Sequence, residues 1–149
     1  MKRLLMKTAM VSAAAVAATL VPLAGTSYAA GCSNAGCDNL GPVSQGCDAD
    51  AVTQRSVTDG ERKAELRWSS KCQAAWVRVT DTDGSGSDWI PKYGYIEKHN
   101  GVNGPLIRSL AVAIPNPGSD WSNMLGGNYY YRVCTTQGGS GATICSSYF

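Results

Sequence analysis

Residues 65–79 read ELRWSSKCQAAWVRV, which places two tryptophans, two arginines and a cysteine in fifteen residues. Glu65–Ser69 and Ala74–Val79 are each rich in strand formers, and Lys71-Cys72 falls between them. A hairpin turning there opposes residues whose numbers sum to 143. One face then pairs Leu66 with Val77 and Trp68 with Ala75, and is wholly apolar. The other pairs Glu65 with Arg78 and Arg67 with Trp76, an opposite-charge pair and a cation–π pair. A slip of one residue sets Arg78 against Leu66 and mixes the faces, so the pattern specifies its own register. Leu66, Trp68, Val77 and Val79 are expected in the core. Arg67, Trp76 and Arg78 are the candidate ligand-binding residues. They form either a platform for a sugar ring or acidic group, or a self-satisfied outer face.

Working outward, Ala51–Val57 reads as a strand, and Asp59-Gly60 supplies hairpin-turn chemistry before Ala64. Trp89–Lys98 is extended but broken by Pro91 and Gly94, which suits an edge or bulged strand. Leu106–Ile114 fits both a strand face and a helix face; strand is favoured, and PNPGSD after it is a loop. Asn128–Thr136 and Ala142–Ser147 form a closing hairpin around QGGSG. Short strands separated by turns predict a mainly β fold, a small antiparallel β-sandwich or barrel stapled by disulfides.

The first residues are basic at Lys2, Arg3 and Lys7, and Met10–Leu23 is apolar. Small residues at Ser27 and Ala29 complete a secretory signal peptide over 1–29. The protein is thus expected to be secreted, as a single disulfide-rich β domain over 30–149, with 31–50 a cystine-stapled loop. A lipid anchor through Cys32 is the minor alternative, and it would leave an odd five cysteines. The chain carries 13 basic and 11 acidic residues, and three of the basic ones lie in the leader. The remainder has 13 − 3 = 10 basic and 11 acidic residues, a net of −1. Such a balance draws it to neither nucleic acid nor anionic lipid. No later stretch is a membrane span, and a monomer is expected.

Six cysteines, Cys32, Cys37, Cys47, Cys72, Cys134 and Cys145, follow the leader. In an exported domain they read as three disulfides, each worth about 2–4 kcal/mol. Cys134 and Cys145 flank the closing hairpin and are expected to pair; the other four are left open. With no CxxC pair and one histidine, no zinc site is expected.

Three further constellations bear on function. Asp81–Asp88 (DTDGSGSD) begins like a calcium loop but has Lys92 at the twelfth position, where a bidentate acid is required. Glu97 and His99 share a strand face and could run acid–base chemistry with a nearby arginine, as in small secreted ribonucleases or glycosidases. Because His99 adjoins Asn100-Gly101, an exposed pre-turn position is the competing expectation. Tyr93/Tyr95 and Tyr129/Tyr131 are period-two pairs that, with Trp89 and Trp121, could line a carbohydrate face or fill the core.

The opening stretch also resembles the signature of the domain of unknown function 2690 family, which is similar to LRYSxxCxAAWxRI. Leu66, Arg67, Ser69, Cys72, Ala74, Ala75, Trp76 and Arg78 match it, with Trp68 in place of Tyr. Upstream, Cys32, Cys37, Gly41-Pro42, Gly46-Cys47 and Asp48-Ala49 match too, so the resemblance covers 32–80. It implies an exported or membrane-tethered extracellular bacterial domain and brings no catalytic residues or cofactors. The resulting expectation is a non-enzymatic extracellular binding or structural module. Its partner would be cell-wall polysaccharide or another extracellular protein. A hydrolase using Glu97 and His99 is the alternative.

Overall fold

The computed structural model describes residues 29–82, 92–115, 117–136 and 142–149. Residues 1–28 of the expected signal peptide, most of the Asp81–Asp88 stretch, Trp89 and QGGSG lie outside the described residues. Among the described residues nine strands follow in order: β1 Val52–Asp59, β2 Arg62–Ser69, β3 Ala74–Asp81, β4 Tyr93–His99, β5 Leu106–Ala113, β6 Gly118–Trp121, β7 Leu125–Gly126, β8 Tyr130–Thr136 and β9 Thr143–Cys145. They form two antiparallel sheets. The first runs β1-β2-β3-β6, with β7 also on β3; the second runs β5-β4-β8-β9. The sheets pack face to face as a sandwich.

The β2–β3 hairpin has the register that its two faces demand: Glu65 opposes Arg78, Leu66 Val77, Arg67 Trp76 and Trp68 Ala75. Its apolar face supplies Ala64, Leu66, Ala75, Val77 and Val79 to the core. The facing sheet answers with Ile96, Tyr131 and Val133, with Leu110 and Val112 packed alongside. Trp68 is half-buried at the end of this core, against Tyr131 and Phe149. The approach of β3 to β4 depends on Gly94, where a Cβ would collide with the Val79 side chain. In the β1–β2 hairpin, Gly60 takes φ +56°, the left-handed geometry that glycine adopts without a Cβ penalty.

A second, smaller core lies on the outside of the first sheet. The N-terminal segment, with short 3₁₀ turns at Asn34–Cys37 and Asp48–Asp50, folds back over it. Cys37, Cys47, Cys72, Ala74, Trp76 and Met124 are buried together there. The bridges are Cys32–Cys37, Cys47–Cys72 and Cys134–Cys145. Asp50 caps the β2–β3 turn, accepting from Ser69 Oγ at 2.6 Å, Ser70 Oγ at 2.9 Å and Lys71 N–H at 3.0 Å. The Gly126 N–H donates to Asp38 Oδ1 at 2.7 Å. Any Cβ at Gly126 would overlap the Asn34 carbonyl.

Several elements differ from the sequence reading. β4 is central rather than an edge strand, lying between β5 and β8, and its bulge falls at Lys98/His99 against β5. The strand begins at Tyr93, and Pro91 lies outside the described residues. PNPGSD is not all loop: β6 begins at Gly118 and pairs with β3. Polar Gly-Ser-Asp carries no strand propensity, so pairing with the free edge of β3 decides it. Residues 106–113, by contrast, are a strand as favoured from the sequence, and form the edge of the second sheet. Among the described residues no helix is long and apolar enough to cross a membrane.

Candidate functional site

Arg67, Trp76 and Arg78 all project from the outer face of the first sheet, since they alternate with core residues along β2 and β3. The N-terminal segment covers one end of this face. Where it stops, a cleft of about 290 Å³ opens, lined by Pro42, Val43, Asp48, Arg67, Trp76, Arg78 and Trp121. The three residues singled out in the sequence therefore meet in one place, but not as the expected platform. Trp76 is only 3% exposed, because its ring is packed among Cys37, Cys47, Cys72 and Met124. The exposed aromatic of the cleft is Trp121, at 45%. It sits opposite Arg78 in the β3–β6 ladder.

The expected Arg67–Trp76 cation–π pair is replaced by hydrogen bonds. Arg67 turns to the neighbouring edge, donating to Thr53 Oγ1 at 2.8 Å and the Ala51 carbonyl at 2.7 Å. Two directed bonds to acceptors outweigh stacking on a ring already covered from outside. Arg78 keeps its expected partner, with Nε and Nη2 on Glu65 Oε2 at 2.9 and 2.7 Å. Lys63 reaches the other Glu65 oxygen at 3.1 Å. Burial pushes the Glu65 carboxyl up, but hydrogen bonds from Arg78 and Lys63 outweigh it and hold the group below its usual range. Burial, then the Arg78 cation, pulls the Arg67 guanidinium down from its ordinary value. Asp48 is the one carboxylate among the lining residues.

Chemically, the cleft offers an aromatic face, one acceptor and guanidinium donors held in fixed positions. That set suits a hydroxylated ring, which can stack on Trp121 while its hydroxyls bridge Asp48 and arginine. Sequence reasoning missed Asp48, Pro42 and Val43 as lining residues and placed Trp121 with the tyrosines. A tryptophan in the polar run GSDWSN was the one available signal for an exposed ring.

Glu97 and His99 also meet. His99 Nε2 lies 3.0 Å from Glu97 Oε2, and Arg132 Nε donates to the same oxygen at 2.6 Å. His99 Nδ1 lies 2.9 Å from the Gly104 carbonyl. The histidine is 5% exposed, not an open pre-turn residue, because the 100–105 turn folds back on it and Tyr148 stacks edge-on at 5.2 Å. Burial raises the Glu97 carboxyl; bonds from His99 and Arg132 more than reverse this and lower it. Both ring nitrogens and the shared oxygen are thus occupied from within the protein.

The tyrosine pairs part company. Tyr93 and Tyr95 lie 6.4 Å apart, with Tyr93 39% exposed. Tyr131, by contrast, is buried at 1% while Tyr129 is 41% exposed, because Tyr129 precedes β8 and escapes its alternation. Asp81, the first carboxylate of the calcium-like stretch, is buried at the end of β3 with Lys92 Nζ at 3.7 Å. The four sulfurs of Cys32, Cys37, Cys47 and Cys72 lie within 4.8 Å of one another as two disulfides.

Residues 35–106 match the model of a family described as protein of unknown function, DUF2690. No curated protein and no solved structure matches the chain.

Proposed function

We propose, from the premise that residues 35–106 belong to the DUF2690 family, that this is an exported, non-enzymatic binding module for cell-wall polysaccharide. The observation that carries it is the cleft in which exposed Trp121 stands beside Arg67, Arg78 and Asp48. All lining residues except Trp121 lie inside the family segment. Stacking on an exposed indole with flanking hydrogen-bond groups is an economical way to hold a pyranose. A single lining carboxylate supports binding over hydrolysis, because glycosidases work with two. Export rests on the basic and apolar leader and on the six paired cysteines.

The test is retention of the oxidised protein on purified cell-wall polysaccharide. Trp121→Ala is expected to weaken retention about tenfold with an unchanged melting temperature, since the ring is exposed. Equal retention of Trp121→Ala, or none by the parent protein, would overturn the reading. The hydrolase alternative is separated by His99→Ala. As a module, the protein has no RNA- or glycan-cleaving activity for this substitution to remove, and the substitution lowers stability instead.

A further inference from the structure

A second concavity lies at the end of the sandwich, away from the residues of the Trp121 cleft. Two adjoining hollows of about 300 and 360 Å³ share Trp68 and Asn128. One is completed by Gln73, the other by Tyr129, Tyr130 and Phe149. Each is at the lower end of the size that small ligands occupy. Tyr129 and Tyr130 are 41% and 44% exposed, which is a large aromatic area to leave in water at one spot.

Two observations mark this place as built rather than merely uncovered. First, its aromatic wall is held rigid. Lys98, itself 5% exposed, donates to the Gly126 carbonyl at 2.6 Å and places Nζ 4.2 Å from the centre of the Tyr129 ring. Gly127, at φ +100°, leaves room for that ring where a Cβ would press on it. Trp68 is fixed edge-on against Phe149 at 5.5 Å. Second, two exposed amide side chains, Gln73 and Asn128, flank the rings and are open to a ligand. Among the described residues, the side-chain amides of Gln73 and Asn128 make no hydrogen bond within the protein, although both line the hollow that holds Trp68. Gln73 is held at φ +49°, a left-handed conformation that a residue with a Cβ rarely adopts. Its carbonyl is tied to the Gly127 N–H at 2.9 Å, which locks the two rims together.

We infer that this groove binds an uncharged sugar bearing an acetamido group, an N-acetylhexosamine unit of a glycan. A carboxamide presents one donor and one acceptor side by side, and an acetamido group presents the complementary pair. The aromatic rings take the apolar faces of the sugar, and no lining side chain carries a charge. The site is independent of the proposed Trp121 cleft and stands or falls separately from it.

The experiment is a ¹H–¹⁵N chemical-shift titration of the oxidised protein with a β-1,4-linked tetramer of N-acetylglucosamine, and in parallel with the corresponding glucose tetramer. Saturable shifts of the Trp68 indole N–H and the Gln73 and Asn128 side-chain amides are expected with the first sugar and not the second. Gln73→Gly removes the amide while relieving the positive φ, and its melting temperature is measured alongside to show that it folds. It is expected to weaken binding about tenfold, the worth of one good hydrogen bond, with a melting temperature no lower than the parent's. Trp121→Ala leaves these shifts unchanged. Absence of saturable shifts overturns the site. Equal response to both tetramers, or full affinity in Gln73→Gly, overturns the acetamido assignment.

Discussion

Trp76 shows how one side chain can change meaning with its cover. Alternation alone puts it on the solvent face of β3, and only the returning N-terminal segment buries it. Its replacement by alanine empties the middle of the smaller core. A loss of about 3–5 kcal/mol is expected, read as a lower urea midpoint at unchanged slope. Trp121→Ala on the same face is expected to fall within about 0.5 kcal/mol of the parent. Arg67 makes the complementary point. Its cross-strand neighbour was legible, since register follows from alternation, but its hydrogen-bond partners were not. Thr53 and the Ala51 carbonyl belong to a third strand and its approach, and no local pattern reports them.

At the scale of elements, the docking of the N-terminal segment on β7 depends on backbone contact. The Gly126 N–H meets Asp38, and its Cα lies against the Asn34 carbonyl. Gly126→Ala must force the two apart, and is expected to destabilise by more than about 2 kcal/mol. Gly36→Ala, where a Cβ meets nothing within 4 Å, is the matched control and is expected to be near neutral; paired thermal melts distinguish them. The β1–β2 and β2–β3 hairpins were readable because turn residues and two-sided alternation agree over each. β6 and β7 were not, because a four-residue polar strand and a two-residue one exist only through their partner β3. The central place of β4 was hidden for the same reason: strand order is a property of the assembled sheet.

For the whole molecule, charge pairing sets the response to acid. Asp50, Glu65 and Glu97 all have carboxyls held below their ordinary values of 3.8, 4.5 and 4.5. Burial opposes this in each case, and hydrogen bonds prevail: Ser69 and the Lys71 backbone at Asp50, Arg78 at Glu65, His99 at Glu97. A carboxyl that binds its proton less readily when folded adds stability above its unfolded value and loses it as pH falls through the folded one. Stability is therefore expected to be level above about pH 5 and to decline below about pH 4. Denaturant midpoints taken across that range check it, and an unchanged midpoint at pH 3 would contradict it. Glu65→Gln is expected to flatten the decline.

The three bridges have a further property as a set. Each joins a cysteine to the next one in the chain: first to second, third to fourth, fifth to sixth. A polypeptide threaded amino end first into an oxidising space offers its thiols in that order. If each sulfur simply takes the next to arrive, the native set of bonds results, and nothing has to be undone. Such a chain reaches its covalent form without an isomerase. Reduced, unfolded protein released all at once loses that ordering, and its recovery by air oxidation should improve when isomerase is supplied, whereas vectorial delivery should gain nothing from it.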